Sequence, residues 1–589
     1  RTVTLQAILV NDWKASLDLL VKSKSQLVAY GFTQDEIDQV LTRAKASSTA
    51  SVAAAATRPT QALANGLLAS AASGQVFRTP VDLAADLERL APQVTLARVN
   101  AVVAELFNGE GPFVLVSAPD APRAEPALLR AAYETAAAAP VERLVQAPVR
   151  PWSHTDFGPA GAVVEQSEVP GLGIVKVRFA NGVRLLFKQN LAARDQVQVR
   201  IRFGRGQMDV PAAPVGLADA GIAMLGVGGP GDYSPTELSR TLTGKLTLVQ
   251  FRGADGEFAA DGLTRPADLA TELELLAARF SRPGWRPDLY AASLASARKT
   301  LEAMGSNPVG VYKMNADLRL RGGDSRWATP TPEQLVALSP EEARAFIEPI
   351  LTTAPLEVLI AGDVTLDVAI AEVARTFGAL PARTAATPAA DTRIVAFPQA
   401  TAEPLVFTHA GRADQAVAGI AWPTSGGVEG PKEALNADVL AAVMRARLIE
   451  QFRAHDGKTY APSVTSSASP VFKGYGLIHA QAEVAPADVD AFYAKVAEVA
   501  ADLSAAPISA DELSRAVTPI AETYLRNRQN NLYWLNWMGR LDANPWAPEH
   551  MRTMPAGLTA ITPADVQESA RRWLVADKAW KAKAVAAAN

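Results

Sequence analysis

Two side chains able to donate hydrogen bonds to one oxygen stand close together in the last third of the chain. Arg453 and Tyr460 close the stretch EALNADVLAAVMRARLIEQFRAHDGKTY, residues 433–460. Leu435, Val439, Val443, Leu448 and Phe452 recur in it at helical spacing, so it is expected to bury one face of a long helix. Gly457 tolerates the backbone turn that ends a helix, and Lys458 to Ser467 has the Tyr, Val, Thr and Ser content of a strand. Arg453 in the last turn and Tyr460 at the strand's start would then project from neighbouring ends. An Arg there also complements the helix dipole, and a Tyr opening a strand packs in the ordinary way. Spacing alone does not separate a functional pair from a structural one.

No other residues complete an active centre. The five histidines are His154, His409, His455, His479 and His550, and no two stand at a metal-ligand spacing such as i, i+4 on one helix. The nucleophile-elbow pattern G-x-S-x-G is absent. The run Gly226 to Gly231 lacks the Lys-Ser/Thr of a phosphate loop. With no cysteine, disulfides, thiolate metal sites and a cysteine nucleophile are excluded. A formal net charge of -4 without a basic, aromatic-interleaved run argues against nucleic acid as a partner. Nothing approaches an apolar span of about 20 residues, so no transmembrane helix is expected.

Positioning falls to a repeated set of elements. A chain of 589 residues is expected to hold several domains. Thr2, Thr4 and Gln6 alternate with Val3, Leu5 and Ala7 as in a strand, and the chain is expected to begin inside a domain. A helix near Trp13 to Tyr30 leads through Gly31 and Phe32 to a Thr33/Glu36 capping box. Another helix starts near Val94, and Phe113 to Ser117 has the look of a short buried strand. The same grammar recurs at Gly284 to Asp288 and Pro507 to Glu512, then at Leu338 to Glu342 and Ile561 to Val566. Each of the last two is an N-cap followed by Pro at the first helical position, and strand-like closes follow at Leu356 to Ala361 and Ala582 to Val585.

Two loose Ala- and Pro-rich stretches separate the copies. The expected division is 1–135 as the later part of one domain, 136–170 as a linker, 171–383 as a second unit, 384–404 as a linker and 405–589 as a third. The middle unit opens on a hairpin, Ile174 to Phe179, Asn181-Gly182 and Val183 to Lys188. In its next strand Val197, Val199, Ile201 and Phe203 alternate with Gln198, Arg200 and Arg202, which predicts one wet face. An aromatic helix is expected from Tyr524 to Trp537. The fold class is α+β, built of repeated homologous domains with helices packed on a mainly antiparallel sheet.

The segment Gly216, Leu217, Ala218, Asp219, Ala220, Gly221, Ile222, Ala223, Met224 and the set Arg447, Leu448, Glu450, Phe452, Arg453, Gly457, Tyr460 together carry a family resemblance. The chain resembles the pitrilysin and insulin-degrading enzyme family, the inverted zinc peptidases, and among them the bacterial zinc-protease-like members. The resemblance implies the later part of the second domain followed by the third and fourth, half of a two-bowl clamshell around a closed chamber. Family first domains have Gly-Leu-Ala and then His-x-x-Glu-His; here Asp219, Ile222 and Ala223 replace the first His, the Glu and the second His. The resemblance therefore implies zinc on an N-terminal half and none on this chain, which should be inactive without that half.

It also implies roles for Arg453 and Tyr460, which would reach across the chamber to the scissile carbonyl of a bound peptide. The implied function is the C-terminal part of a zinc metalloendopeptidase acting on peptides or unfolded segments, with an exported, periplasmic setting suggested by bacterial relatives. The alternative is a non-catalytic scaffold or peptide-binding subunit of the same fold, which would have no need of both Arg453 and Tyr460.

Overall fold

A computed structural model describes residues 3–6, 12–109, 112–116, 126–145, 147–383, 394–456 and 462–587, with residues 453–456 as backbone only. The chain divides into two compact units, Arg1–Ser153 with Tyr233–Leu246, and His154–Asp232 with Thr247–Asn589.

In the first unit the described residues fold as helices alone: Trp13–Tyr30, Gln34–Ala53, Thr60–Ala72, Pro80–Leu90, Leu96–Leu106, Pro126–Ala138 and Pro235–Thr241. Local chemistry starts them where expected. The Asp12 carboxylate accepts from the Lys14 and Ala15 amides, the Thr33/Glu36 capping box is formed, and Thr95 caps the helix that begins at Leu96. Leu17, Val21 and Ala136 make a small core. The two expected strands are not found. Residues 3–6 and 112–116 carry no strand, and Thr2, Ala7 and Ser117 lie outside the described residues. Phe113 is 90% exposed, because no neighbouring ladder among the described residues of this unit satisfies an extended backbone there.

Among the described residues, twelve strands lie in the second unit: β1 (Val163–Val169), β2 (Ile174–Phe179), β3 (Arg184–Gln189), β4 (Val197–Phe203), β5 (Leu248–Ala254), β6 (Glu257–Thr264), β7 (Glu357–Gly362), β8 (Leu405–His409), β9 (Ala416–Thr424), β10 (Ser463–Ala468), β11 (Gly476–Val484) and β12 (Trp580–Ala586). They form a seven-stranded sheet, β1-β2-β3-β7-β4-β6-β5, and a five-stranded sheet, β10-β11-β9-β12-β8. Reading the second in reverse, β8-β12-β9-β11-β10 repeats β3-β7-β4-β6-β5 strand for strand. Each has one parallel pair, β3 with β7 and β8 with β12, among antiparallel neighbours. The larger sheet adds β1, paired with β2. This corrects the reading of 136–170 as linker throughout. β1 is exposed along its length except at Val169, so it lacks the apolar alternation by which a strand is recognised.

Helices cover one face of each sheet. Leu269–Ser281 and Pro340–Thr353 pack on the larger, around Phe203, Phe251, Phe258 and Phe280; the long helix Pro431–Asp456 and Val489–Ala505 pack on the smaller. The Ser339/Glu342 and Thr562/Asp565 capping boxes start their helices with Pro in the first turn, as expected.

The opposite faces are covered by exchange. Helix Pro308–Leu320, which follows β6 of the larger sheet, lays Val311, Tyr312, Ala316 and Leu320 on Val417, Ala421, Trp580 and Ala582 of the smaller. Helix Asn531–Met538, from the chain segment of the smaller sheet, lays Trp534, Leu535 and Met538 on Ile174, Leu186, Leu359 and Ala361 of the larger. Each begins at an Asn cap: Gly310 N–H donates to Asn307 Oδ1 at 2.7 Å and Leu532 N–H to Asn530 Oδ1 at 2.8 Å. The second cap breaks the expected Tyr524–Trp537 helix in two, at Asn527 and Asn531.

The exchange also corrects the wet face of β4. Arg200 is 5% exposed, pairing with Asp261 and donating to Asn536 Oδ1 at 2.9 Å, while Arg202 pairs with Glu257 and Glu357. Charged side chains on alternate positions were here a mark of cross-strand pairing beneath a helix, not of solvent.

One seam residue has a pH signature. Tyr312 OH lies 2.9 Å from His479 Nε2, with the two rings stacked. Burial pushes the His479 imidazole down to about 4, against a smaller upward pull from Asp317. The unfolded chain takes up this proton near 6.5 and the folded one near 4, so stability falls as pH drops through that window. Each unit of pKa difference is about 1.4 kcal/mol, so the loss amounts to roughly 3 kcal/mol by pH 4. His479→Gln should flatten the plot of Tm against pH between 6.5 and 4; an unchanged slope would count against this origin.

Candidate functional site

The long helix Pro431–Asp456 buries Leu435, Val439, Val443, Leu448 and Phe452, the periodic set expected of it, and also Leu440 and Met444. Arg453 belongs to its last turn, but the Arg453 side chain, Gly457 and Tyr460 lie outside the described residues. The strand expected from Lys458 is described from Ser463 onward as β10, an edge of the five-stranded sheet. Helix and edge strand are thus adjacent elements, which is what the proposed pairing of Arg453 with Tyr460 requires.

A recess of about 1150 Å³ lies along the same helix, lined by Asp438, Arg445, Glu450, Gln451, Thr465 and Ile520 among others. Arg447 is fixed at its wall by two hydrogen bonds to Glu512, at 2.6 and 3.0 Å. Asp438 accepts from the Ser466 hydroxyl of β10. The Asp438 carboxylate is reached by solvent, yet the walls of the recess strip much of its hydration and push its pKa up. Chemically the recess offers the backbone of β10, an edge strand among the described residues, beside both acidic and basic side chains. That suits main-chain pairing with an extended peptide. Sequence reasoning missed Asp438 and Ser466, since residues 28 positions apart on helix and strand share no local signal.

Helix Leu217–Gly228 carries the second motif. Gly216, at φ +83°, is its N-cap, and a Cβ there would meet Pro330 at 2.9 Å. Leu217, Ala218, Ala220, Gly221, Met224 and Leu225 are buried, and Asp219, Ile222 and Ala223 share the opposite side. Asp219 is exposed, with its pKa raised by desolvation; Ile222 packs against the core of the larger sheet. One carboxylate beside an isoleucine and an alanine does not fit zinc, which needs three or more N, O or S ligands. Among the described residues no three His, Cys, Asp or Glu side chains are grouped to hold a metal. The four described histidines are engaged separately: His154 with Asp232 at 2.6 Å, His409 with the Gln415 carbonyl at 3.0 Å, His479 with Tyr312, and His550 against Trp537 and Trp546.

Residues 337–520 match the family model described as the peptidase M16 inactive domain. Over these residues the chain is similar to the M16 peptidases. The matched segment runs from the helix Pro340–Thr353 through the long helix to Ala510–Asn527, so it takes in the recess and the Arg453 turn. The periplasmic protease PqqL from Escherichia coli has a similar fold, with a TM-score of 0.63 and 16% identity over 97% of this chain and 63% of PqqL. A peptidase M16 inactive domain from Pseudomonas fluorescens superposes with a TM-score of 0.59 and 17% identity, over 71% of this chain and 99% of that one. The chloroplastic stromal processing peptidase of Arabidopsis thaliana is 24% identical over 202 residues, 32% of this chain and 15% of its own length. The chain thus spans less than two thirds of PqqL and a small part of the plant enzyme. No described helix is long and apolar enough to cross a membrane.

Proposed function

We propose that this chain is the C-terminal part of a zinc metallopeptidase that cleaves peptides or unfolded segments in a closed chamber. Residues 1–135 would be the later part of a second peptidase-type domain, 171–383 a third and 405–589 a fourth. Zinc would sit on an N-terminal half bearing His-x-x-Glu-His, and the setting would be the periplasm, as the name of PqqL states for that protein. The observation that supports this reading is the match of residues 337–520 to the peptidase M16 inactive domain, beside a helix Leu217–Gly228 on which Asp219, Ile222 and Ala223 share one side.

The metal site on the other half would supply Lewis-acid and water-activating chemistry. The residues of this chain bind and orient. Arg453 brings a permanently charged guanidinium and Tyr460 a phenol O–H, and both would donate to the scissile carbonyl oxygen as it becomes negative. The open edge of β10 would align an extended substrate by its main chain, with little demand on sequence.

The experiment is reconstitution. Neither half alone should cleave a quenched peptide, the mixture should, and a chelator should abolish the activity. Cleavage by this chain alone, or none by the mixture, would reject the proposal in favour of a self-sufficient enzyme or a scaffold.

A further inference from the structure

The charges that line the recess along Pro431–Asp456 are unevenly matched. Arg447 is held by Glu512, and the carboxylates of Glu450 and Asp502 also act on it. Arg515 pairs with Asp511 at 3.0 Å. Asp438 has no cation: among the described residues it accepts from the Ser466 hydroxyl and enters no ion pair. Arg445, on the same wall, stands two turns further along the helix, about 10 Å by its rise, and does not pair with Asp438. A carboxylate partly stripped of water gains from a cation brought into the recess beside it.

The remaining lining says what could carry that cation. Ala442, Ala446, Ile449, Ala516 and Ile520 give the walls apolar surface with no hydrogen-bonding side-chain group. Ala442 and Ala446 follow Asp438 at successive intervals of four, so they lie on its side of the helix. Their short side chains leave room for a run of methylenes. Lys and Arg lay such stems on apolar surface while the charged head reaches a polar group. An acidic side chain would be repelled by Asp438, and an apolar one of equal length would leave it unpaired.

We infer that the recess takes the Lys or Arg side chain of an extended peptide, its stem on Ala442 and Ala446 and its charged head at Asp438 and Ser466. The inference deepens the proposed function by naming a side-chain class in the substrate, and it rests on that reading for the peptide itself.

The test is binding, measured by fluorescence anisotropy on the whole chain without the zinc-bearing half. The probes are short labelled peptides with both ends capped, identical except for Lys, norleucine or Glu placed at each position in turn. At one position Lys should bind about 10-fold more tightly than norleucine, the worth of a charge-assisted hydrogen bond in a partly dry site, and Glu more weakly than either. Added salt should shrink the difference. Asp438→Asn should bring Lys and norleucine together, and Asp438→Lys should make Glu the preferred residue. Equal binding of Lys and norleucine in the parent, a Lys advantage kept by Asp438→Asn, or no binding of any probe would each overturn the inference. A Lys preference in binding with no cleavage by the reconstituted mixture would reject the peptidase reading and uphold the recess. Cleavage without a Lys preference in binding would do the reverse.

Discussion

Tyr460→Phe should lower the turnover of the reconstituted enzyme by ~10²- to 10³-fold, the usual cost of removing one preorganised donor to a developing oxyanion. The variant keeps the ring and loses the O–H, so folding and association should be those of the parent. The effect should fall mainly on kcat, with a small change in KM, because the carbonyl oxygen that accepts from Tyr460 acquires its charge in the transition state and not in the bound substrate. Single-turnover kinetics on a quenched peptide, at matched occupancy of the two halves, makes the measurement. Unchanged turnover would remove Tyr460 from the chemistry.

Trp534→Ala should destabilise the chain by about 3–5 kcal/mol, the range for removing a buried large aromatic. The indole is 5% exposed on the back of the seven-stranded sheet, donates from Nε1 to the Arg528 carbonyl at 2.8 Å, and has Lys188 Nζ 4.7 Å from its ring centroid. Next to it Asn190 donates to Asn531 Oδ1 at 2.7 Å, so the loosened helix would also strain a buried polar contact. Because each sheet is covered by a helix from the other's segment, the loss should appear as one earlier urea transition rather than as separate unfolding of one sheet. A change below about 1 kcal/mol, or two resolved transitions, would contradict the interlocked description.

Much of the local structure was legible in the residues. The capping boxes at Thr33, Ser339 and Thr562, the Asn181-Gly182 turn and the apolar stripe from Leu435 to Phe452 all report chemistry settled within a few positions of the chain. So does the replacement at Asp219, Ile222 and Ala223, which is a matter of residue type. The misreadings have a common cause. β1 looked like linker because its partner, and not its own pattern, makes it a strand. The charges of β4 looked solvated because their partners, Glu257, Asp261 and Glu357, lie far along the chain. Phe113 to Ser117 looked buried because apolar content alone cannot tell a strand with neighbours from one without.

By itself, then, the order of amino acids determined where several helices are capped, that sets of elements recur along the chain, and which residue types stand at Asp219, Ile222 and Ala223. Tertiary structure alone decided which helix covers which sheet. The exchange of Pro308–Leu320 and Asn531–Met538 depends on surfaces hundreds of residues apart, and burial is a property of such pairs of surfaces rather than of any window of sequence.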